Sequence, residues 1–357
     1  MHNKIYLVAV ETDVKHVVDI FGNMMIIDTP YYEDMTRISN SNIGWFLKNG
    51  PSYLRKKLDG VIPDEKTPSL DRGTMIHSYL LTPEEFQKDY IVWDKRRPSS
   101  AQQEKFCQEL ANSVEIEPNK AILSAYQASY STTNRSEEKM LSEGLKIASE
   151  LKEYIDFLKS GDNRKMIGPW DIKMLKEIKG GFAKHKLARQ LLWPLEFRPN
   201  DLEWFHEFHI NWEYYIKMAA GVKCKSLLDG LTLDFGSKTA IIYDLKTTQK
   251  LWNFEESIHQ YDYLRQLCFY YQAVVWYLRY ELKVKNWNDW TFKFYIIGID
   301  TTGSNEIRVF EIDKNDVYSR KDTILGAMQD IWWHQTTDQW DHTRAYYEGD
   351  GSEKLNL

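Results

Sequence analysis

An aspartate and a lysine stand two residues apart at the end of a segment that is typical of a β-strand. In the segment KTAIIYDLKTT, Asp244 and Lys246 flank Leu245. Side chains alternate along a strand, so Asp244 and Lys246 project from the same face. Such a pair could bind a divalent cation and hold or activate a water. By itself, however, this triplet is more often a surface ion pair.

A second carboxylate strengthens the hypothesis of a metal site. Asp229 closes the preceding predicted strand, 15 residues upstream, and a tight turn would bring it beside Asp244. Two carboxylates that converge on one point repel each other unless a cation or a proton lies between them. Because the ligands are hard oxygen atoms, we expect the cation to be Mg²⁺ or Mn²⁺.

Further candidate residues lie on two predicted helices. Gln266 and Tyr270 are four residues apart and share one helix face with Tyr263, so they could position a phosphate or the water. The two tyrosines, taken alone, are more simply explained as core aromatics. In the segment DRGTMIH, Arg72 could bind a phosphate and His77 could bind the metal, although a histidine in an apolar helix is more often a core residue.

In their order along the chain, these motifs resemble the PD-(D/E)xK nuclease superfamily, in its RecB-like and RecE-like branch. The segments ISNSNIGWFLKNGPSYL, DRGTMIHSYLLTPEEF, YDLKTTQ and IHQYDYLRQLCFYYQA are similar to those of RecE-type exonucleases (exonuclease VIII) of prophage recombination systems. The likeness covers roughly residues 36–95 and 203–280. The chain departs from the family at one point, because Leu227 and Leu228 precede Asp229 where the family usually has Arg-Pro.

The resemblance implies a role for each matching residue. His77, Asp229, Asp244 and the main-chain carbonyl of Leu245 would ligate the metal, and Glu207 matches a further acid of the family. Lys246 would orient or activate the attacking water, and Gln266 and Tyr270 would support the scissile phosphate. The residues that we expect to contact DNA are Ser39, Ser41, Arg72 and Thr247.

The activity that the resemblance implies is a Mg²⁺-dependent DNA exonuclease. It would degrade one strand of a duplex end from 5′ to 3′, for phage-type recombination with a single-strand annealing protein, as a ring-shaped homo-oligomer. Two alternatives stay open: a structure- or site-specific endonuclease of the same fold, and a non-catalytic DNA-binding recombination protein. Residues 217–250 contain six lysines and three aspartates, which suits a phosphate-binding groove and equally a solvated lysine face.

Composition excludes several other classes of protein. The 357 residues are 43% hydrophobic and carry a net charge of −6, so the chain is globular and is not a polycation that coats nucleic acid. No apolar run approaches the roughly 20 residues that cross a bilayer, and the first residues lack the order of a signal peptide. The scattered Cys107, Cys224 and Cys268 make a disulfide framework, a zinc ribbon and an iron–sulfur cluster unlikely candidates, so we expect a cytoplasmic protein.

The elements that must position these residues form an α/β pattern. Three strands, the first being WFHEFHINWEYYI, precede one long helix (residues 254–282) and two further strands, with Gly221 at the first turn. This order predicts a central mixed sheet flanked by helices, as in the restriction-endonuclease-like core, with a helical N-terminal half. Ser39 and Ser41 are candidate N-caps. The predicted parts are 1–94 with the GxxxH motif, a helical elaboration at 95–200, the catalytic core at 201–336 and an acidic tail at 337–357.

Overall fold

The computed structural model describes residues 15–18, 24–27, 30–65, 67–194, 202–217 and 220–352. The chain divides into two compact units, one made of Met1–Gly73 with Phe182–Leu357 and the other of Thr74–Gly181. Within the described ranges, no helix combines the length and the apolar character needed to cross a membrane.

The strands of the described residues form two two-stranded sheets and one five-stranded sheet, and helices lie between them along the chain. The strands are β1 (Lys15–Val18), β2 (Met24–Ile27), β3 (Tyr90–Val92), β4 (Lys165–Ile167), β5 (Leu202–Lys217), β6 (Ala220–Asp234), β7 (Thr239–Thr248), β8 (Thr291–Asp300) and β9 (Ile307–Ile312). The helices are α1 (Asn40–Leu58), α2 (Pro68–Leu81), α3 (Pro83–Asp89), α4 (Ala101–Ala111), α5 (Pro118–Ser129), α6 (Glu137–Glu150), α7 (Lys152–Lys159), α8 (Pro169–Lys184), α9 (Lys186–Leu192), α10 (Phe254–Gln260), α11 (Tyr263–Trp276), α12 (Lys314–Tyr318), α13 (Lys321–Thr337) and α14 (Arg344–Glu348).

A five-stranded mixed sheet forms the centre of the first unit, as the sequence predicts. The strands lie in the order β5-β6-β7-β8-β9, with β7 and β8 parallel and the other neighbours antiparallel. Residues 240–243 of β7 form an apolar run that helices cover, which explains the burial of residues on both faces of this strand. Helices α11 and α13 pack against β5 and β6. The shared core contains Phe269, Ile296 and Met328, each fully buried.

Helix α1 begins with a capping box. The Ser39 hydroxyl accepts a hydrogen bond from the Asn42 amide, and the Asn42 side chain accepts one from the Ser39 amide. The prediction of Ser39 as an N-cap is therefore confirmed, whereas Ser41 is exposed in the first turn of the helix. Gly50, with a φ of 81°, kinks the helix just before Pro51, where the sequence predicts a break.

Two predictions about the strands are wrong in detail. Asp229 does not close its strand, because β6 continues to Asp234, and the turn follows at residues 235–238. Gly221 does not mark a turn, since it lies within β6 opposite Tyr215 of β5. Glycine suits this position, because a Cβ added to residue 221 would lie only 2.7 Å from the Glu213 carboxylate.

The long helix predicted at 254–282 is also wrong, because the chain leaves helical geometry between α10 and α11. Asp262 adopts a left-handed backbone with a φ of 48°. Its carboxylate accepts hydrogen bonds from Arg265, one turn away, and from Arg320 near the start of α13. These contacts stabilise a conformation that aspartate adopts at some energetic cost. Beyond α11, residues Tyr277–Glu281 form a π-helical turn.

The second unit is mainly helical. Its core contains Phe106, Cys107, Tyr126 and Leu151, contributed by the segment from α4 to α7. Strands β3 and β4 pair in parallel within this unit. The helical elaboration predicted for this part of the chain is thus present, and Pro83 occupies the first turn of α3, a position that proline favours.

Candidate metal centre

Asp229 and Asp244 lie side by side where β6 and β7 diverge. The last register pair of these strands is Gly230 with Tyr243, so Asp229 and Asp244 are the next residue on each strand. The side chains are buried, with relative exposures of 8% and 2%. Antiparallel pairing of neighbouring strands therefore brings together the two carboxylates that the sequence singled out.

The main chain of Leu245 contributes to the same site. Its amide donates a hydrogen bond of 2.6 Å to Oδ2 of Asp229. The amide and the carbonyl of one strand residue point towards the same neighbouring strand, so the Leu245 carbonyl faces the Asp229 side of β7. Because the pairing with β6 ends two residues earlier, at Tyr243, this carbonyl has a position suited to a metal ligand.

Glu207 enters the site through an irregularity in β5. The register passes from His206–Gly230 to Phe208–Leu228, and Glu207 has a φ of 47°. The register is the same on both sides of Glu207, which places it opposite Asp229 of β6, and carboxylate oxygens of the two residues lie within 4.8 Å of each other. Burial, with Asp229 and Asp244 nearby, raises the pKa of Glu207 to about 8. The crowded acids therefore favour a bound proton or a cation.

Lys246 forms an ion pair within the site. Its Nζ lies 2.6 Å from Oδ2 of Asp244 and 4.9 Å from the centre of the Tyr263 ring. Burial alone would lower the pKa of Lys246, but Asp244 and Asp229 outweigh it and the pKa is raised. Lys246 is therefore a cation near neutral pH. As a cation it can neutralise charge and orient a water, whereas a general base would need a free amine.

Gln266 holds the second oxygen of Asp244, and Tyr270 contacts Gln266. The Gln266 side-chain amide donates to Oδ1 of Asp244 and to the Tyr270 hydroxyl, both at 2.9 Å. Tyr270 is buried, and this burial raises its pKa well above the usual value. The shared helix face predicted for these residues thus points at the carboxylates. Their proposed contact with a phosphate stays a prediction.

Helix α2 approaches the same end of β7 with its glycine. A Cβ on Gly73 would lie 3.3 Å from the Thr247 hydroxyl, so a close approach favours glycine here. Arg72 is exposed beside it. His77, half-buried, is four residues further along α2 and belongs to the second unit, so its role as a metal ligand stays a prediction.

The DNA contacts predicted for the serines and for Thr247 also stay predictions. The Ser39 hydroxyl is 6% exposed and engaged in the capping box of α1, which leaves it little freedom to bind a ligand. Ser41 is exposed, and Thr247 is half-buried next to Gly73.

Two tyrosines that the sequence analysis did not select lie close enough to the acids to be affected by them. Desolvation of its hydroxyl, with Glu207 and Asp229, raises the pKa of Tyr32. Tyr31 contacts His209 of β5 edge to face, with ring centres 5.3 Å apart. No motif marks these tyrosines, because they lie some 180 residues before Glu207 in the chain and only the fold brings them near β5.

The donor set fits a hard divalent cation. The carboxylates of Glu207, Asp229 and Asp244 and the Leu245 carbonyl are oxygen ligands of the kind that Mg²⁺ and Mn²⁺ prefer. Burial and the neighbouring Asp229 and Asp244 raise the pKa of Glu207, as expected for acids brought together in a buried site. Their arrangement can therefore hold a cation beside the ammonium group of Lys246.

No protein-family model and no curated protein matches the chain. Among solved structures, the chain is similar to a provisionally named exonuclease from Eubacterium rectale, with 14% identity, a TM-score of 0.44, and coverage of 93% of this chain and 96% of that one. It is also similar to the protein SSO0001, with 14% identity, a TM-score of 0.21, and coverage of 63% and 83%. Since both TM-scores are low, the function is inferred below from the chain's own residues.

Proposed function

We propose that the protein is a metal-dependent deoxyribonuclease, and more narrowly a Mg²⁺- or Mn²⁺-dependent exonuclease acting on duplex ends. The observation that carries the proposal is the meeting of Glu207, Asp229 and Asp244 where the pairing of β6 and β7 ends, with Lys246 paired to Asp244. Acids converging beside a lysine suit phosphodiester hydrolysis, because the substrate is an anion that hydroxide attacks only when charge is neutralised.

In this proposal each residue has a defined task. Glu207, Asp229, Asp244 and the Leu245 carbonyl hold the cation, and His77 is a further ligand. A bound divalent cation would lower the pKa of a water and neutralise charge on the phosphate. Lys246 orients the water and stabilises the negative charge that develops on the phosphate oxygens. Gln266, which also bonds to Tyr270, keeps Asp244 in place, and both residues support the scissile phosphate.

The finer assignment follows from the resemblance of the motifs to RecE-type exonucleases. In this assignment the enzyme degrades one strand from 5′ to 3′ and forms a ring-shaped homo-oligomer. It acts in the cytoplasm together with a single-strand annealing protein. Arg72, Ser39, Ser41 and Thr247 are proposed to contact the DNA backbone. The competing function within the same chemistry is a structure- or site-specific endonuclease, which the topology of the DNA substrate distinguishes. A non-catalytic DNA-binding protein would cleave neither substrate.

The proposal is tested by digestion of end-labelled linear duplex and of closed circular DNA, with Mg²⁺ or with a chelator. We expect metal-dependent release of nucleotides from the linear DNA and no cleavage of the circle. Separate labels on the 5′ and 3′ ends give the direction. Cleavage of the circle would instead indicate the endonuclease, and no cleavage of either substrate would refute nuclease activity.

A matched pair of variants connects the activity to the carboxylates. Asp229→Asn should reduce hydrolysis by at least 100-fold. Asp234→Asn is the control, since Asp234 is on the same strand with the same 8% exposure, but its carboxylate accepts a hydrogen bond from the Ser237 amide in the following turn. Equal activity of the two variants would disprove the assigned site.

A further inference from the structure

A stack of two aromatic rings extends outward from the Lys246 ammonium. The ammonium lies 4.9 Å from the centre of the Tyr263 ring, and the Tyr261 ring stacks on Tyr263 with centres 5.6 Å apart and an interplanar angle of 20°. Tyr263 is half-buried, whereas Tyr261 is 57% exposed. One face of the Tyr261 ring is therefore covered by Tyr263, and much of the rest is open to solvent.

The backbone between the two tyrosines is responsible for this stack. Residues two apart on a continuous helix do not face each other. Here Asp262, with its left-handed backbone, separates the end of α10 from the start of α11, so the two rings can lie face to face. Arg265 and Arg320 hold the Asp262 carboxylate. An unfavourable backbone conformation that is held by two arginines is typical of a functional position.

The inner ring of the stack is fixed from behind. Tyr263 also stacks on Phe254, with ring centres 6.1 Å apart, and Phe254 stacks on Phe310 of β9 at 4.9 Å. Phe254 is fully buried in the core of the first unit. The exposed ring of Tyr261 therefore rests on a rigid support, which reduces the entropy that a ligand must lose on stacking against it.

We infer that Tyr261 is a stacking platform for an unpaired base of the nucleic acid substrate, at the nucleotide next to the phosphate held beside Lys246. The inference rests on the proposed nuclease function and specifies its substrate contact. Aromatic side chains bind single-stranded nucleic acid by stacking with successive bases, independently of sequence. Bases within a duplex are already stacked on their neighbours, so the platform suits a nucleotide separated from its partner strand at the duplex end.

The test compares Tyr261→Ala and Tyr261→Phe on linear duplexes that carry a normal or an abasic terminal nucleotide. Loss of the ring should raise KM by about 5- to 100-fold on the normal duplex, while phenylalanine, which keeps the stacking face, should remain near the wild type. On the abasic duplex the alanine variant and the wild type should have equal KM, because there is no base to stack.

Tyr280→Ala is the control for the loss of an exposed aromatic ring. Tyr280 is 42% exposed and contacts Tyr215, which is eight residues along β5 from Glu207 and so about 27 Å away at the rise of a strand. This variant should bind both duplexes as the wild type does. A wild type that hydrolyses DNA with metal, together with Tyr261→Ala showing unchanged KM on both duplexes, would overturn the inference and leave the nuclease function standing.

A binding measurement tests whether a base stacks on Tyr261 and does not depend on hydrolysis of the DNA. In the Asp229→Asn background, an oligonucleotide with a terminal 2-aminopurine should lose fluorescence when it binds, because the fluorescent base stacks on Tyr261. The double variant Asp229→Asn/Tyr261→Ala should bind without this quenching. Equal quenching in both proteins would contradict the platform, and a wild type that shows quenching but never hydrolyses DNA would contradict the nuclease function alone.

Discussion

Lys246 is paired with Asp244, the carboxylate that we also predict to bind the metal. This pairing determines what Lys246 can contribute to the reaction. Its raised pKa keeps the ammonium charged beside the acids. A charged lysine cannot accept a proton from water, so its contribution is the positive charge and its position.

We therefore expect Lys246→Arg to retain more activity than Lys246→Ala. Alanine removes the charge and should reduce kcat by about 100- to 1000-fold, while arginine keeps a charge that cannot be titrated. Single-turnover rates at saturating metal provide the measurement. Lys250→Ala serves as the control, because Lys250 forms an exposed ion pair with Glu256. If arginine were as damaging as alanine, a general-base role for Lys246 would be the better explanation.

Local periodicity explains which site residues the sequence could predict. Asp244 and Lys246 follow from strand alternation, and Gln266 and Tyr270 from the four-residue spacing of a helix. Tyr261 could not be selected in this way, because its stack depends on the left-handed Asp262. That conformation in turn requires Arg320, which is distant in the sequence.

At the scale of elements, the pairing of β6 and β7 brings a glycine into close contact with an aromatic ring. Gly230 and Tyr243 are register partners, and a Cβ on Gly230 would lie 1.9 Å from the Tyr243 ring. The residues that follow this pair towards the site are Asp229 and Asp244. The sequence predicted the sheet from its apolar runs and turns, but not this contact, because it depends on the exact register of β6 and β7.

Gly230→Ala should consequently destabilise the sheet and displace the acids. Overpacking of this kind costs about 1–3 kcal/mol, and thermal unfolding measures it directly. Gly326→Ala is the control, since nothing lies within 4 Å of the added Cβ and the residue is inside α13, where alanine is favoured by about 0.5–1 kcal/mol. Similar melting temperatures for the two variants would show that the Tyr243 ring moves aside without cost.

For the whole molecule, electrostatics are local and do not follow from the net charge. A chain with a net charge of −6 brings Glu207, Asp229 and Asp244 together on neighbouring strands and pairs Asp244 with Lys246. Burial and the neighbouring acids raise the pKa of Glu207 to about 8, against 4.5 for an unperturbed glutamate, so the folded chain binds a proton that the unfolded chain releases.

The metal-free protein should accordingly lose stability as pH rises from about 4.5 to 8. In that window the folded state binds more protons at Glu207 than the unfolded state does, which makes the free energy of unfolding fall with pH. Each kcal/mol lost corresponds to roughly 2–4 °C in melting temperature. Glu207→Gln removes this titration, so the difference in melting temperature between wild type and variant isolates the contribution of Glu207 from that of other groups.

Mg²⁺ should raise the melting temperature of the wild type most at the upper end of this pH window, because binding requires the ionised carboxylate. A constant difference across the window would contradict the raised pKa.

The ion pair between Lys246 and Asp244 also bears on how the chain is made and maintained. The ammonium of Lys246 offsets part of the negative charge of Asp244 from within the same strand. If the proposed cation binds there, the sheet should form before the cation arrives, and removal of the cation should leave a folded protein whose proposed activity returns when the cation is restored.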